Sequence, residues 1–218
     1  KLVIELKSDN ATDKIFYTLN DKKTQVYKKP FTIKESTTVK AFINNETKKS
    51  KTISASFFKK PNNYSIKLQS TYDPQYHANG PDGLLDGIHG DGNWRKGDWQ
   101  GYQGQDFEAI IDLNKIKSIS SIDVNFLQDS RSWIMMPVKM EVYLSTTNSD
   151  FKLAGLLEKT PDPFNDKIYT DDWKIKLSPI KTRYIKVKIY NYGTFPKGHL
   201  AEPFDGISYI FLDEITVK

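Results

Sequence analysis

Cysteine is absent from this 218-residue chain, so the sequence can form neither a disulfide nor a thiolate zinc site. It also lacks an apolar run long enough to span a bilayer, and it begins with Lys1 rather than methionine. We therefore expect a mature or excised piece of a longer protein, without membrane insertion. The absence of cysteine leaves the compartment open and is compatible with a bacterial exported protein.

Short catalytic motifs are missing as well. The GxSxG, HExxH, P-loop and Rossmann glycine patterns do not occur. The three histidines, His77, His89 and His199, are too far apart in the sequence to form a local ligand pair. The sequence therefore predicts a binding function for this fragment and no enzyme activity.

The net charge of +5 is unevenly distributed along the chain. Residues 1–60 carry 14 lysines and 6 acidic residues, whereas the remainder carries 18 basic and 21 acidic residues. A nucleic-acid interface needs basic and aromatic side chains on the same surface. Here the lysines and the tryptophan-rich loops fall in different segments, so we expect no nucleic-acid partner.

Alternation of apolar and polar residues predicts an all-β chain of two domains. In the first domain, residues 1–60, short strands are predicted at 2–6, 15–19, 31–33, 39–43 and 53–58, which is typical of a small Ig-like sandwich. A joint follows at Lys59–Tyr64, where Pro61 and two asparagines interrupt strand pairing.

The second domain, residues 61–218, shows a cleaner alternation. Ile122, Val124 and Phe126 share one face of a predicted strand, and similar patterns occur at 138–144, 173–177 and 185–189. Trp173 lies in phase with the apolar positions and is predicted to be in the core. Long connections at 84–106, 128–137, 159–167 and 191–206 predict a β-sandwich that presents a binding surface on its loops.

The segment from Leu84 to Gln103, LLDGIHGDGNWRKGDWQGYQ, combines glycine, aspartate and tryptophan. Asp86 and Asp91 are close enough in the sequence to face one Ca²⁺, and the C-terminal Asp213 and Glu214 offer a further carboxylate. The alternative is that Asp86-Gly87 is only a turn and Glu214 only a surface residue.

Sugar binding is the other reading of this segment. Trp94, Trp99 and Trp133 lie in loops beside polar residues, where an indole can stack on the apolar face of a pyranose. The alternative for each tryptophan is that it closes one end of the sandwich.

Four segments of the second domain resemble the coagulation factor 5/8 type C, or discoidin-like, domain. They are residues 109–113 and 122–124, QDSRSW at Gln128–Trp133, and the C-terminal YIFLDEITV. Within that family they are most similar to the family 32 carbohydrate-binding modules found behind bacterial hexosaminidases. The resemblance covers Tyr64 to Lys218 and implies a jelly-roll β-sandwich of the galactose-binding type.

The first domain resembles a different family. The segment YTLNDKKTQVYKKPFTIKESTTVKAFI, from Tyr17 to Ile43, is similar to the chitobiase/β-hexosaminidase C-terminal domain. This tandem order is typical of the C-terminal end of family 20 β-N-acetylhexosaminidases. The resemblance therefore implies a non-catalytic tail of an exported glycoside hydrolase, located in the periplasm, on the cell surface or outside the cell.

The resemblance also implies a structural calcium ion. Asp86 and Glu214 match the family's side-chain ligands, whereas Gly83, Ile88 and Asp213 match its carbonyl donors. At the position of Asp91 the family often has threonine or serine.

The implied sugar site lies on the loops of the second domain. We assign it to seven residues by region: Arg95, Trp99, Asp129, Arg131, Trp133, Tyr192 and His199. The expected ligands are glycans that end in galactose, N-acetylgalactosamine or N-acetylglucosamine, and the other expected partner is the catalytic domain of the parent chain. Two alternatives stay open: a structural brace without sugar binding, and a protein- or phospholipid-binding domain whose only candidate spike is Ile134-Met135-Met136.

Overall fold

The computed structural model describes residues 1–10, 12–45 and 48–218 and separates the chain into two compact units, Lys1–Lys59 and Lys60–Lys218. The described residues of the first unit form seven strands: β1 (Leu2–Ile4), β2 (Ile15–Leu19), β3 (Gln25–Val26), β4 (Phe31–Ile33), β5 (Thr37–Asn45), β6 (Lys48–Lys49) and β7 (Ile53–Phe57). Strands β1 and β4 pair with each other. Strands β3, β2, β5 and β6 form a second sheet, in which β7 also pairs with β5.

The core of the first unit is small. It consists of the buried residues Ile4, Tyr17, Ile33, Val39 and Ala41, and the ring of Tyr17 stacks on Phe31 with centroids 4.6 Å apart. Asn20 and Asp21 both adopt positive φ angles, which gives the tight turn that this Asn-Asp pair favours.

The second unit contains seven strands: β8 (Ser65–Leu68), β9 (Gln100–Gln103), β10 (Phe107–Gln128), β11 (Lys139–Ser145), β12 (Lys152–Glu158), β13 (Tyr169–Tyr190) and β14 (Tyr209–Val217). The strand order is β12-β11-β13-β10-β14-β9, with β8 also paired to β10. Short 3₁₀ turns occur at Pro81–Leu85, Trp94–Lys96 and Ser130–Ser132. None of the helical turns among the described residues is long and apolar enough to cross a bilayer.

Strands β10 and β13 belong to both layers of the sandwich. The first half of β10 pairs with β8 and with the end of β13, whereas its second half pairs with β14 and with the beginning of β13. Register shifts between Asp112 and Lys117 and between Ile119 and Ser121 mark the bend between the halves. The all-β sandwich predicted from the sequence is confirmed.

The alternating residues of these strands form the core as their pattern predicts. Ile122, Val124, Phe126 and Trp173 are all completely buried, and Phe126 packs edge-on against the Trp173 indole. This rigid sandwich fixes where each loop begins and ends.

Candidate functional site

Three long loops leave the second domain at the same end. Gln128 at the end of β10 pairs with Tyr169 at the start of β13, and Lys139 at the start of β11 pairs with Tyr190 at the end of β13. The loops 129–138, 159–168 and 191–208 therefore lie side by side. Trp94 joins them from the glycine-rich segment, because its Nε1 donates a hydrogen bond to Asp129 Oδ2 at 3.2 Å.

The loops 129–138 and 191–208, together with Trp94, border an open cavity of about 390 Å³, which we call the loop crevice. It is lined by Trp94, Arg131, Ser132, Trp133, Leu200 and Phe204. Trp133 and Phe204 face each other with ring centroids 5.2 Å apart, and Phe204 is 67% exposed. The crevice therefore combines aromatic surfaces with one guanidinium group and one hydroxyl group.

Trp133 has a left-handed backbone with φ 64° and ψ 20°, a conformation that a bulky residue rarely adopts. Its N–H donates to Ser130 O at 3.0 Å, and its carbonyl accepts from the Tyr209 N–H at 2.8 Å. These bonds hold the strained residue against an energetic cost of about 1–3 kcal/mol. Strain of this kind is found where a side chain must be held in one position for a function.

Trp94 and Arg95 form a second aromatic surface beside the crevice. The Arg95 guanidinium lies 3.9 Å from the centroid of the Trp94 ring, and Arg95 is exposed. A smaller cavity of about 240 Å³ lies along this pair, between Tyr76 and Trp99. Of the predicted sugar-binding residues, Arg95, Arg131 and Trp133 therefore lie at accessible surfaces.

Asp129 is buried and serves mainly as a support. Its carboxylate accepts the hydrogen bond from Trp94, and its backbone N–H donates to Ile134 O at 2.9 Å. The predicted direct sugar contact of Asp129 is therefore corrected. Asp129 does not line the crevice but holds Trp94, which does.

The prediction that Trp99 stacks on a sugar is wrong. Its side chain is only 1% exposed and packs in a cluster with Leu127, Ile134 and Phe211. Its Nε1 donates to the carbonyl of Asp91 at 3.0 Å, and the indole lies directly above Gly90. Trp99 borders the smaller cavity, but a ring with 1% exposure offers no face on which a sugar could stack, so Trp99 is a packing residue of the loop segment.

His199 is also buried, with 6% exposure, so its predicted sugar contact is corrected as well. Its Nδ1 accepts from the Ala201 N–H at 3.1 Å, and its Nε2 donates to Ser130 Oγ at 2.9 Å. Ser130 Oγ in turn donates to the carbonyl of Pro163. Burial lowers the pKa of the imidazole, which favours this neutral ring. His199 thus ties the three loops together.

Tyr192 is half-buried against Phe195, outside the crevice lining. Its predicted sugar contact stays a prediction, and the contact that the structure shows is packing within the loop 191–208. The same cluster contains Met135 and Phe195, and His199 stacks on Phe195 with centroids 3.9 Å apart.

Sequence reasoning missed Leu200 and Phe204 as crevice residues, and it did not select Trp94. The usable signal is that Leu200 and Phe204 are large apolar residues within a loop rich in glycine and proline, where no strand pattern accounts for them. The proposed spike Ile134-Met135-Met136 is buried, with exposures of 1%, 0% and 3%. These residues pack inward at the entry to β11, so the segment that the protein- or phospholipid-binding alternative depended on offers no exposed apolar surface.

The predicted calcium residues Asp86 and Glu214 lie in segments that meet. Glu214 Oε2 on β14 accepts from the Gly87 N–H at 2.9 Å, immediately after Asp86. Asp86 Oδ1 accepts from the Ile88 N–H at 2.8 Å. The preceding 3₁₀ turn is anchored in the core by Leu84 and Leu85, and Gly83 is buried beside them. We call this segment the Asp86 turn, residues 83–88.

None of the carboxylates of Asp86, Asp213 and Glu214 forms an ion pair among the described residues. Burial, together with the negative charges of Asp86 and Asp213, raises the pKa of Glu214 to about 8. Burial raises the pKa of Asp213 to about 6, even though Asn125 Nδ2 donates to it at 3.0 Å. Within the described residues no lysine, arginine or histidine nitrogen lies within 4.0 Å of these three carboxylates. Two buried acids, Asp213 and Glu214, beside the half-buried Asp86 fit a bound cation.

The Asp86 turn does not form a complete set of side-chain ligands. Among residues 1–10, 12–45 and 48–218, no three acidic or histidine side chains stand together as a metal site. Backbone carbonyls would therefore have to complete the coordination, as the predicted roles of Gly83, Ile88 and Asp213 require.

Asp91 lies outside this group, and its predicted role as a calcium ligand is corrected. Its side chain is 57% exposed and forms an ion pair with Lys96. Its Oδ1 accepts from the Asn93 N–H at 2.9 Å, and its carbonyl is occupied by Trp99. Asp91 therefore shapes the loop between the Asp86 turn and Trp94.

Comparison with known families divides the chain at the same place as the fold. Residues 65–202 match the F5/8 type C domain, and residues 4–57 match the family described as Fn3 associated. No curated protein sequence matches the chain.

Among solved structures, the family 32 module of NanJ from Clostridium perfringens, in complex with galactose, is 16% identical. The match covers 71% of this chain and 92% of that one, with a TM-score of 0.42. CpGH89CBM32-5 from Clostridium perfringens, in complex with GalNAc-β-1,3-galactose, is 13% identical over 71% and 94% of the two chains, with a TM-score of 0.42.

A GH29 fucosidase from Ruminococcus gnavus, in complex with fucose, is 15% identical over 71% of this chain, with a TM-score of 0.45. The match covers only 25% of the fucosidase, so this chain corresponds to about a quarter of that enzyme.

Proposed function

Because this chain belongs to the F5/8 type C domain family, we propose that its second domain is a carbohydrate-binding module that binds a sugar in the loop crevice. Domains of this family are commonly carbohydrate-binding modules of glycoside hydrolases and are not catalytic. The observation that carries the proposal is the strained Trp133, held by two backbone hydrogen bonds so that its ring lines an open crevice.

The lining of the crevice suits a pyranose ring. The faces of Trp133 and Phe204 can pack on the apolar C–H face of the sugar, and the Trp94 indole supplies a further wall. The guanidinium of Arg131 and the hydroxyl of Ser132 can bond to sugar hydroxyls and fix the orientation. Galactose, N-acetylgalactosamine and N-acetylglucosamine at glycan ends are the ligands we propose.

We further propose that the chain is part of an exported glycoside hydrolase, with a family 20 β-N-acetylhexosaminidase as the parent. The tandem order of an Fn3-associated region and an F5/8 type C domain supports this assignment. The parent's catalytic domain is then the second partner, and the first unit spaces the module from it. A single module of this kind binds weakly and gains avidity on polymeric glycans.

We also propose a structural calcium ion at the Asp86 turn. The carboxylates of Asp86 and Glu214 would hold it, together with carbonyls from Gly83, Ile88 and Asp213. The ion would supply the positive charge that these buried acids lack. By fixing the turn, it would limit the ordering entropy that is lost when the neighbouring loops bind a sugar.

The function is tested by the two substitutions Trp133→Gly and Arg131→Gln, measured on a glycan array and by titration calorimetry. Each is expected to weaken sugar binding by about tenfold or more, because one removes a stacking face and the other a charged donor. Glycine adopts positive φ without strain, so Trp133→Gly relieves the backbone while removing the ring. Its melting temperature is therefore expected to fall much less than its affinity.

Arg183→Gln is the matched control for Arg131→Gln. Arg183 pairs with Asp112 Oδ1 at 2.9 Å, away from the crevice, so the control should bind sugar normally. The proposal is contradicted if the wild-type chain binds no glycan on the array, which favours a structural brace. Retention on anionic vesicles without glycan binding also contradicts it.

A pH dependence follows from the raised pKa of Glu214. Because its pKa in the folded protein, about 8, exceeds its ordinary value of 4.5, protonation of Glu214 stabilises the metal-free fold. This contribution is complete below pH 4.5, decreases as the pH rises and is lost above about pH 8. In EDTA, the melting temperature of wild type minus that of Glu214→Gln is expected to fall steadily from pH 6 to pH 8.5. A difference that is constant or rises over this range would contradict the prediction.

A further inference from the structure

A cavity of about 640 Å³ lies at the end of the second domain opposite the loop crevice. Strand β13 begins beside Gln128, runs to the far end of the sandwich near residues 177–182, and returns to Tyr190 in the other layer. Strand β11 begins at the loop end and reaches the far end at Ser145. The cavity opens between the end of β11, the start of β12 and the bend of β13, and we call it the far cavity.

The walls of the far cavity combine apolar and polar groups. Its apolar surface comes from the side chains Leu144, Leu153, Ala154, Leu177 and Ile180. Its hydroxyl groups come from the side chains Ser145, Thr146, Thr147, Ser178 and Thr182. Thr182 is buried and donates to Ser145 O at 2.9 Å, which fixes the floor.

The charge at the rim is mainly positive. Lys152, Lys176 and Lys181 line the far cavity, against one acidic residue, Asp150. In the described part of the chain, none of these three lysines has an acidic oxygen within 4.0 Å of its ammonium nitrogen. By contrast, Lys174, two residues before Lys176 on the same strand, pairs with Asp123 at 3.3 Å.

We propose that the far cavity is a second ligand site, which takes an acidic sugar unit through its carboxylate or sulfate group. The volume lies within the range of ligand pockets and far exceeds that of an inorganic anion. The three ammonium groups match the anionic oxygens, while the hydroxyl groups match those of a sugar. No aromatic side chain lines the far cavity as described, which disfavours a stacked nucleobase.

This site shares no residue with the loop crevice, so the two sites can be occupied or lost independently. A chain with both would contact an acidic polysaccharide at two ends of one domain. Two weak contacts on one polymer raise the overall avidity.

The test is amide chemical-shift mapping of the ¹⁵N-labelled full chain with three probes: a galacturonic acid trimer, galactose 6-sulfate and a neutral galactose trimer. We expect at least one acidic probe to shift amides at 144–147, 152–154 and 176–182, and the neutral trimer to leave them unchanged. The acidic probe that binds identifies the anionic group as carboxylate or sulfate. Binding should weaken as salt is added.

The variant Lys176→Gln/Lys181→Gln is expected to weaken binding of that acidic probe by about a hundredfold, roughly tenfold for each charged hydrogen bond. The control Lys67→Gln/Lys167→Gln removes the same charge from two exposed lysines outside both cavities and should change affinity by less than about threefold. The proposal is overturned if neither acidic probe shifts these amides, if the neutral trimer shifts them equally, or if the control loses as much affinity.

Discussion

Replacing Trp99 by alanine is expected to lower the free energy of unfolding of the second domain by about 3–5 kcal/mol, the cost of truncating a buried aromatic residue. The indole is 1% exposed and fills the space between Leu127, Ile134 and Phe211. Its removal also leaves the carbonyl of Asp91 without its donor. In a domain of this size the loss corresponds to a fall in melting temperature of about 6–20 °C, measurable by circular dichroism.

The packing around Trp99 is close, which is why the effect should be large. A Cβ built on Gly90 would lie 2.4 Å from the indole, so the backbone at residue 90 can approach the ring only as glycine. The ring therefore packs directly against the backbone at Gly90, in the loop that follows the Asp86 turn. The conservative variant Trp99→Phe should retain part of the stability, because it keeps an aromatic ring while losing the hydrogen bond.

Measuring sugar affinity together with stability distinguishes a packing role of Trp99 from a direct contact with the ligand. If Trp99→Ala bound sugar poorly but unfolded at the wild-type temperature, Trp99 would have to be a ligand contact. We expect the reverse: a large loss of stability, with binding reduced only through disorder of the loop segment. Trp133→Gly provides the comparison, because there the affinity should fall more than the stability.

The contrast between Trp99 and Trp133 shows where sequence reasoning stops. Both tryptophans lie in polar loop segments, and no periodicity of the neighbouring apolar residues distinguishes one from the other. Their difference arises from contacts distant in sequence: Trp99 is covered by Leu127 and Phe211, whereas Trp133 packs on Phe204 in the wall of an open crevice. Patterns of neighbouring residues cannot report such contacts.

The strands were predictable because the relevant physics is local. Alternation at Ile122, Val124 and Phe126 identifies a half-buried strand without knowledge of its partners. His199 illustrates the opposite case. Its bond to Ser130 joins residues 69 positions apart, so a loop histidine that resembled a ligand contact is a buried connection. The far cavity could not be predicted either, because the sequence pattern places Lys176 and Lys181 on the solvent-facing side of a strand.

The family resemblance predicted that Asp86 and Glu214 lie at one calcium site, which their spacing in the sequence alone left open. The structure places Gly87 and Glu214 in hydrogen-bond contact, 127 residues apart in the sequence. It also removes Asp91 from the group and assigns it to an ion pair with Lys96. The proposed calcium ion can therefore be tested with variants that separate these two acidic residues.

Adding Ca²⁺ to EDTA-treated protein is expected to stabilise the second domain by about 3 kcal/mol at a concentration of a hundred times Kd. The melting temperature should rise by about 6–12 °C, measured by calorimetry, and equilibrium dialysis should give one bound ion per chain. The physical reason is that the ion neutralises the half-buried carboxylate of Asp86 and the buried carboxylate of Glu214, neither of which forms an ion pair among the described side chains. Mg²⁺ should give a smaller effect, because it gives up its water ligands reluctantly.

Glu214→Gln is expected to abolish the response to Ca²⁺, whereas Asp91→Asn should leave it unchanged. In EDTA at pH 8, Glu214→Gln should be at least as stable as wild type, because glutamine is uncharged and its side-chain oxygen can still accept from the Gly87 N–H. A simple loss of packing would instead destabilise the variant with and without the ion. If Asp91→Asn lost the Ca²⁺ response while Glu214→Gln kept it, the ion would lie on the exposed loop instead. Only the combination of a lost response and a retained metal-free stability identifies Glu214 as a residue that holds the ion.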